Sequence, residues 1–278
     1  MLKQRVITAI VLLAILLPAL FAASPWPFAA LTLVMIGAAG WEWARLNGLE
    51  GAAALAFGAA LAAVGTGLLA WFGLALAPEW CWWLAGGVWV VGGALSLRAG
   101  VSGWPRIART PRLLLGAVAL VVAWLAIVQA KAIGINFLLS IFCLVWCADV
   151  AAYFGGKAFG RRKLAPSISP GKSWAGVWSG MLAVLVLGVA WVHGIDTYWA
   201  VDSASLYTQL VHRFHIGSLL AIVFLVAMSV VGDLFESLIK RAVGAKDSSQ
   251  LLPGHGGVLD RVDALLPVFP LAMALISL

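Results

Sequence analysis

Charged side chains are scarce in this sequence. Asp, Glu, Lys and Arg make up 10% of its 278 residues, whereas hydrophobic residues make up 63%. A soluble globular domain has about 25% charged residues, because water must solvate its surface. The composition therefore excludes an ordinary soluble protein and indicates an integral membrane protein.

Cysteine is also rare, and all three copies lie in apolar runs. An odd number of cysteines in such runs excludes a disulfide framework. Cys143 and Cys147 would share a helix face, but no histidine accompanies them, so packing is favoured over metal binding.

Internal repeats are absent as well. No stretch recurs with a period of roughly 20 to 50 residues, which excludes a solenoid. We also find no inverted repeat of the kind that many transporters contain.

Apolar runs, in contrast, are abundant. A run of about 18 residues without charge can cross a hydrocarbon core of roughly 30 Å. Nine candidate runs are present: residues 6–23, 27–44, 51–77, 80–97, 113–130, 132–154, 173–193, 214–236 and 262–278. Prolines at positions 25 and 27 separate the first two runs and favour a helical hairpin over a cleaved signal peptide. The sequence thus predicts an all-α, polytopic membrane bundle of about nine transmembrane helices.

The basic residues predict how the chain is oriented. If the N-terminus is cytoplasmic, 16 of the 18 Lys and Arg residues fall inside, and only Lys131 and Arg213 fall outside. Because Lys and Arg accumulate on the cytoplasmic side of membrane proteins, we expect residues 155–172 and 237–261 to form cytoplasmic loops. These loops account for the net charge of +7, so no nucleic-acid partner is expected.

Polar residues divide the chain into two regions. Residues 1–131 form an N-terminal transmembrane region without recognisable chemistry, and its small residues are suited to a homodimer interface. Glu42 lies among Trp41, Trp43 and Arg45, so we interpret it as part of a solvated helix end at the membrane interface. Residues 132–278 form a C-terminal transmembrane catalytic region with the two cytoplasmic loops.

The first polar segment of the catalytic region covers residues 147–176. It places Asp149 at the end of a span, followed by basic residues and then Ser169, Gly171 and Lys172. Backbone amides of Gly-rich turns with basic side chains beside them are suited to phosphate binding. A purely topogenic role stays open for the basic residues Arg161, Arg162 and Lys163.

Two further polar segments follow. In residues 230–241, helical spacing puts Asp233, Ser237 and Lys240 on one face, with Glu236 adjacent, and ionisable groups at membrane depth usually line a wet cavity. A helix end with a Glu236–Lys240 pair is the structural alternative. In residues 253–267, a Gly-rich turn precedes Asp260 and Asp263. Because Mg²⁺ takes one or two carboxylates and substrate phosphates, the segments together predict a cation and phosphate site.

Residues 237–263 resemble the C-terminal signature of the phosphatidate cytidylyltransferase (CDP-diacylglycerol synthase) family. The matching residues are Ser237, Lys240, Arg241, Lys246, Asp247, His255, Gly256, Gly257, Asp260, Arg261 and Asp263. Residues 169–176 resemble the second motif of the family, with Ser173 replacing Thr and Ala175 replacing Glu or Gln. The first replacement keeps a hydroxyl group, whereas the second removes a polar group.

The resemblance implies that a cytidylyl group passes from CTP to phosphatidic acid, giving CDP-diacylglycerol and pyrophosphate. It further implies a Mg²⁺ cofactor, with a second cation left open, and contact with membrane lipid. The expected setting is a bacterial-type inner membrane, with the active site facing the cytoplasm.

Residue roles follow from the same resemblance. The expected catalytic residues are Asp233, Asp260, Lys240, Arg261 and Lys172. The expected substrate-binding residues are Ser169, Lys172, Ser173, Lys240, Arg241, Lys246, His255, Gly256, Gly257 and Asp149. The expected metal ligands are Asp233, Asp260 and Asp263, although Asp263 could instead orient Arg261.

Two other functions remain open from the residues alone. An ion-coupled transporter could use Asp149, Asp233 and Glu236 as an intramembrane relay. A CTP-dependent lipid kinase would release CDP, whereas a cytidylyltransferase releases pyrophosphate.

Overall fold

The computed structural model describes residues 2–73 and 77–278, and this part of the chain is mainly helical. The N-terminal region contains α1 (Leu2–Phe21), α2 (Trp26–Leu46), α3 (Gly51–Phe72), α4 (Glu79–Ala99) and α5 (Arg109–Ile133). The second region contains α6 (Ile135–Phe159), α7 (Trp174–Ala190), α8 (Asp196–Tyr198), α9 (Leu206–Phe214), α10 (Ser218–Ala242), α11 (Leu259–Val262) and α12 (Leu265–Ser277). The expected all-α membrane bundle is confirmed in its fold class.

Seven helices in the described ranges are long and apolar enough to cross a membrane. They are Trp26–Leu46, Gly51–Trp71, Glu79–Ala99, Arg109–Ile133, Ile135–Phe159, Trp174–Tyr198 and Leu206–Ala242. The apolar part of α1, Val6–Phe21, is shorter. The predicted count of nine is therefore not confirmed, and residues 74–76 of the predicted third span lie outside the described ranges.

The last predicted span, residues 262–278, forms a short central helix. Helix α12 has 13 residues, and its side chains from Leu265 to Ala274 are buried. It packs against α4, α5 and α10, so protein rather than lipid surrounds it. Gly232 on α10 permits this packing, because a Cβ atom there would lie 2.5 Å from the carbonyl oxygen of Asp263 and 2.9 Å from Pro267. The central helix thus connects both regions of the chain.

A small β-hairpin interrupts the helices where a loop at residues 155–172 was predicted. Helix α6 continues to Phe159, and strands β1 (Lys163–Ala165) and β2 (Ser169–Ser173) then pair antiparallel. The side chain of Ser173 caps α7 by accepting a hydrogen bond from the N–H of Gly176, at 3.2 Å. The hairpin therefore holds residues 169–173 in a defined place beside α6, α7 and α10.

A polar network lies at the opposite end of α6. The carboxylate of Asp202 accepts hydrogen bonds from the backbone N–H groups of Ile135 and Asn136, at 2.6 and 3.0 Å. The Asn136 side chain donates to Asp196 and accepts from the indole N–H of Trp191. These bonds satisfy free N–H groups at the start of α6, as helix ends require.

Candidate active site

A cavity of about 640 Å³ opens between α6, α7, α10 and the β-hairpin. Small residues of α6 and α7, including Ala152, Gly156, Gly176 and Gly180, leave the space for it. The polar and charged side chains around it are Asp149, Tyr153, Lys157, Lys163, Lys172, Ser173 and Asp233. Concave sites with a few convergent polar groups are the usual form of small-molecule sites.

Lys172 and Asp233 form an ion pair at this cavity. The Nζ atom of Lys172 lies 2.5 Å from Oδ2 of Asp233, and both side chains are partly exposed. The hydroxyl of Ser237 donates to Oδ1 of Asp233 at 3.3 Å. Strand β2 supplies Lys172, and the C-terminal half of α10 supplies Asp233 and Ser237. The hairpin and α10 therefore bring together two polar segments that are far apart in the sequence.

A second charged cluster lies one to two turns further along α10. The buried Lys240 pairs with Glu236, and its Nζ atom also donates to Oδ1 of Asp260 at 2.5 Å. The expected Glu236–Lys240 pair is thus present, but it is buried rather than solvated. A single lysine that contacts two carboxylates is held rigidly, because each neighbour restricts its rotamers.

Asp260 is closely surrounded by donors. Its oxygens accept hydrogen bonds from Lys240, from the N–H and hydroxyl of Ser248, and from the N–H of Gly257. Burial raises the pKa of this carboxyl, but the hydrogen bonds from Lys240 and Gly257 more than offset burial and lower its pKa to about 2. Asp260 is therefore an ionised anchor for residues 248–257.

Asp263 lies between this cluster and Asp233. Burial raises the pKa of the Asp263 carboxyl above its usual range, and the negative charge of Asp233 raises it further. The N–H of Ala264 donates to Oδ1 of Asp263 at 2.7 Å. Among the described residues no ion pair joins Asp263 to Arg261, because the Arg261 guanidinium donates to the carbonyl of His255 instead. The expectation that Asp263 orients Arg261 finds no contact in its support.

Several predicted substrate-binding residues lie away from the cavity wall. Ser169 is partly buried in β2, and Lys246 is exposed. The exposed Arg241 donates to the carbonyl of Ala245 at 3.0 Å. The Nδ1 atom of His255 is buried and has no hydrogen-bond partner within residues 2–73 and 77–278. The functional roles of these four residues stay predictions.

The turn at Gly256 and Gly257 has the geometry that the sequence suggested. Gly256 has a φ of 82°, in the left-handed region that favours glycine. A Cβ atom at Gly257 would lie 2.1 Å from the hydroxyl oxygen of Ser248 and 2.4 Å from a carboxylate oxygen of Glu42. Both glycines thus allow the backbone to approach side chains closely.

Glu42 is placed differently from the prediction. It is fully buried, with an exposed fraction of 0%, and is not a solvated helix end. Its carboxylate accepts hydrogen bonds from residues 248–259, which are more than 200 positions later in the sequence. The local sequence could not show this burial. Trp and Arg residues, such as the neighbouring Trp41, Trp43 and Arg45, are also common where a helix ends at the membrane interface. The N-terminal region therefore contacts the segment that surrounds Asp260.

Three polar residues of the cavity wall, Tyr153, Lys157 and Lys163, were not among the predicted site residues. A usable signal existed for the first two. Asp149, Tyr153 and Lys157 are spaced by four residues on α6, and this spacing places them on one helix face. For Lys163 the sequence shows only that it belongs to a basic loop with Arg161 and Arg162.

Within the described ranges, no group of three or more His, Cys, Asp or Glu side chains converges as a metal site would require. Mg²⁺ differs from other metals because it needs only one or two carboxylates. Asp149 and Asp233 line the same cavity, so two oxygen-donor side chains face it. Asp260 does not line this cavity, and its oxygens accept from four donor groups, whereas Asp233 has two neighbouring donors, Lys172 and Ser237. The donor set therefore fits Mg²⁺ best beside Asp233.

The chain is similar to known proteins over nearly its whole length. The model of the cytidylyltransferase family matches residues 3–278. A phosphatidate cytidylyltransferase of Pseudomonas aeruginosa is 40% identical over 99% of this chain and 97% of the relative. A phosphatidate cytidylyltransferase of Haemophilus influenzae is 40% identical over 97% of this chain and 96% of the relative. A third, from Brucella suis, is 42% identical over 48% of this chain and 44% of the relative.

These similarities extend across both regions of the chain and are not confined to the two motifs. They confirm the resemblance noted in the sequence and show that the protein is a nucleotidyltransferase. With its membrane-spanning helices, it is an integral membrane enzyme. The chain therefore belongs to the cytidylyltransferase family.

Proposed function

We propose that this enzyme transfers a cytidylyl group from CTP to phosphatidic acid, giving CDP-diacylglycerol and pyrophosphate. The observation that carries the proposal is the cavity beside Asp233, where basic side chains converge at the end of membrane-spanning helices. Relatives that match nearly the whole chain are phosphatidate cytidylyltransferases. The phosphate of a lipid and a nucleoside triphosphate can both reach such a site.

The reaction needs little acid or base chemistry. A phosphate oxygen of phosphatidic acid attacks the α-phosphorus of CTP, and the bond from this phosphorus to the β-phosphate oxygen breaks. Pyrophosphate leaves with the bonding electrons. Because both reactants are polyanions, the main barrier is to hold them together, and positioning with electrostatic stabilisation lowers it.

The lysines of the cavity would hold the phosphates. Lys157, Lys163 and Lys172 line the wall and come from three elements, α6, β1 and β2. Their ammonium groups can donate to phosphate oxygens and offset negative charge. Lys172 is held by Asp233, so its Nζ atom is directed before substrate arrives. Asp233 and Lys172, which are both among the predicted catalytic residues, would then act at the same place in the cavity.

We further propose that Mg²⁺ binds beside Asp233, with Asp149 and Asp263 as the neighbouring carboxylates. When bound, Mg²⁺ neutralises charge on the reacting phosphates. Asp260 would act indirectly, by holding Lys240 and residues 248–257. To bind Mg²⁺ itself, Asp260 would have to give up one of its hydrogen-bond donors. The metal-ligand assignments of Asp233, Asp260 and Asp263, and any second cation, stay predictions.

The position of the site suits a lipid substrate. Val226 and Val230 of α10 and the exposed Tyr153 of α6 give the cavity apolar walls that continue toward the membrane-spanning part. Phosphatidic acid carries its phosphate at the membrane surface, level with such a position. We propose that this end faces the cytoplasm of a bacterial inner membrane, where CTP is present. The homodimer and the lack of nucleic-acid binding also stay predictions.

Family membership favours a transferase over an ion-coupled transporter, and the products separate a transferase from a kinase. Purified protein in detergent is given CTP, Mg²⁺ and phosphatidic acid, with a parallel reaction that omits the lipid. We expect lipid-dependent pyrophosphate and a CDP-lipid product. Release of CDP with a newly phosphorylated lipid would instead establish a kinase.

Substitution of Lys172 tests the assignment of the cavity. We expect Lys172→Met to lower kcat/KM by about 100-fold or more, because a positioned cation is lost from the transition state. Arg106→Ala removes an exposed cation that does not line the cavity and is the control, expected to keep wild-type kinetics. If the two variants had equal kinetics, Lys172 would not be an active-site residue.

A further inference from the structure

Glu42 of α2 is a buried carboxylate that contacts residues more than 200 positions later in the sequence. Its Oε1 atom accepts from the Ser249 hydroxyl at 2.5 Å and from the Val258 N–H at 3.0 Å. Its Oε2 atom accepts from the Leu259 N–H at 2.6 Å and from the Ser248 hydroxyl at 3.2 Å. Both oxygens are thus held by donors of one segment.

This arrangement is demanding in physical terms. A buried carboxylate is costly unless hydrogen bonds replace its lost water, and here four donors do so. Two of the donors are backbone N–H groups, so the carboxylate fixes the path of the chain itself at residues 258 and 259. Gly257 has no space for a Cβ atom between Ser248 and Glu42. The contact is therefore specific in shape as well as in charge.

The same segment holds Asp260. Ser248 donates through its N–H to Asp260, and its single hydroxyl hydrogen is shared between Asp260 and Glu42. The Gly257 N–H donates to Asp260 at 2.8 Å, directly beside the N–H groups that Glu42 binds. Asp260 in turn holds Lys240. A continuous chain of hydrogen bonds thus runs from α2 to the charged cluster on α10.

We propose that Glu42 is a positioning residue for the cytidylyl transfer: it fixes residues 248–259 so that Asp260 and Lys240 keep their catalytic geometry. The inference rests on the proposed function and adds a contribution from the N-terminal region. Glu42 is 0% exposed and does not line the cavity, so it acts through the residues that it holds.

Glu42→Gln tests the proposal, because glutamine has nearly the same shape as glutamate. The amide keeps one acceptor oxygen but places two N–H donors opposite the groups that now donate to Glu42. The matched control is Glu50→Gln, since Glu50 is exposed and its side chain makes no capping hydrogen bond. Ser249→Ala removes one donor to Glu42 without touching Asp260. Glu42→Asp keeps the charge but shortens the side chain.

Steady-state kinetics with CTP and phosphatidic acid give the first readout, measured per folded molecule. We expect Glu42→Gln to lower kcat by about ten- to 100-fold with KM changed less than about threefold, because misplaced reacting groups slow the reaction. Ser249→Ala should lose less, and Glu42→Asp should recover part of the loss of Glu42→Gln. A purely structural role would lower the melting temperature while leaving kcat per folded molecule unchanged, and this result would overturn the proposal.

Hydrogen exchange gives a second readout that does not depend on activity. We expect the amides of residues 248–259 to exchange faster in Glu42→Gln than in the wild type or Glu50→Gln. One of the two oxygens that hold this segment, directly at the N–H groups of Val258 and Leu259, is then replaced by a donor. Unchanged exchange would overturn the anchoring of this segment by Glu42. If the wild type itself forms no pyrophosphate, the proposed function fails, and positioning for this reaction fails with it, whereas the exchange result still decides the anchoring.

Discussion

At the scale of single residues, this enzyme depends on carboxylates that are paired rather than free. Asp233 holds Lys172, and Asp260 holds Lys240 together with two backbone N–H groups. Removing one member of a buried pair is costly, because the other charge is left without a partner. Lys240 keeps a second partner in Glu236, which limits the damage.

Acid should therefore weaken the fold through Asp260. Its pKa is lowered from 3.8 to about 2 in the folded state, which corresponds to about 2 kcal/mol of stability. Because the folded-state pKa is depressed, this stability is fully present above the unfolded pKa, near 4, and is lost as pH falls toward 2. We expect Asp260→Asn to melt below the wild type at pH 7 and the gap to shrink as pH falls from 4 to 2.5. Thermal unfolding in detergent measures this difference in melting temperature. A difference that does not change with pH would contradict the prediction.

At the scale of elements, close packing around α12 joins the two regions of the chain. The helix is buried against α4, α5 and α10, so its position transmits constraints from one region to the other. Asp263 immediately precedes it, and the carbonyl of this residue contacts α10 at Gly232. The predicted transmembrane span is thus a core element that supports the active site.

Gly232→Ala should be destabilising for this reason. The added Cβ atom would lie 2.5 Å from a backbone oxygen that cannot move easily, so we expect a loss of about 1–3 kcal/mol. The matched control is Gly67→Ala on α3, where no atom lies within 4 Å. That change should raise stability by up to about 1 kcal/mol, because alanine favours helix. Melting temperatures in one detergent compare the two, and a shift of the same sign for both would contradict the packing argument.

At the scale of the whole molecule, the polar residues of the β-hairpin and of the C-terminal half of α10 meet at one end of the bundle. The hairpin at residues 163–173 contacts α10 through Lys172 and Asp233, while the opposite end of α6 carries the Asp202 and Asn136 network. A substrate that enters from one side of the membrane therefore meets all the basic residues of the cavity.

The predicted orientation can be measured with single cysteines. Lys246→Cys and Arg213→Cys place thiols at exposed positions that the positive-inside rule assigns to opposite sides. In intact cells, a membrane-impermeant maleimide should label Arg213→Cys, and Lys246→Cys should react only after the membrane is opened. The native protein, whose three cysteines are partly buried, is the control. Labelling in the reverse order would place the N-terminus outside.

Composition and spacing alone determined the membrane class, most of the spans and the two polar motifs, because hydropathy and helical periodicity are local properties. The contact of Lys172 with Asp233 and the burial of Glu42 depend on residues far apart in the sequence, and no local pattern encodes them. The short central α12 is a further case, since an apolar run reads the same whether lipid or protein surrounds it. Only the tertiary structure decided these points, because it determines which surfaces pack together and which donors reach a buried carboxylate.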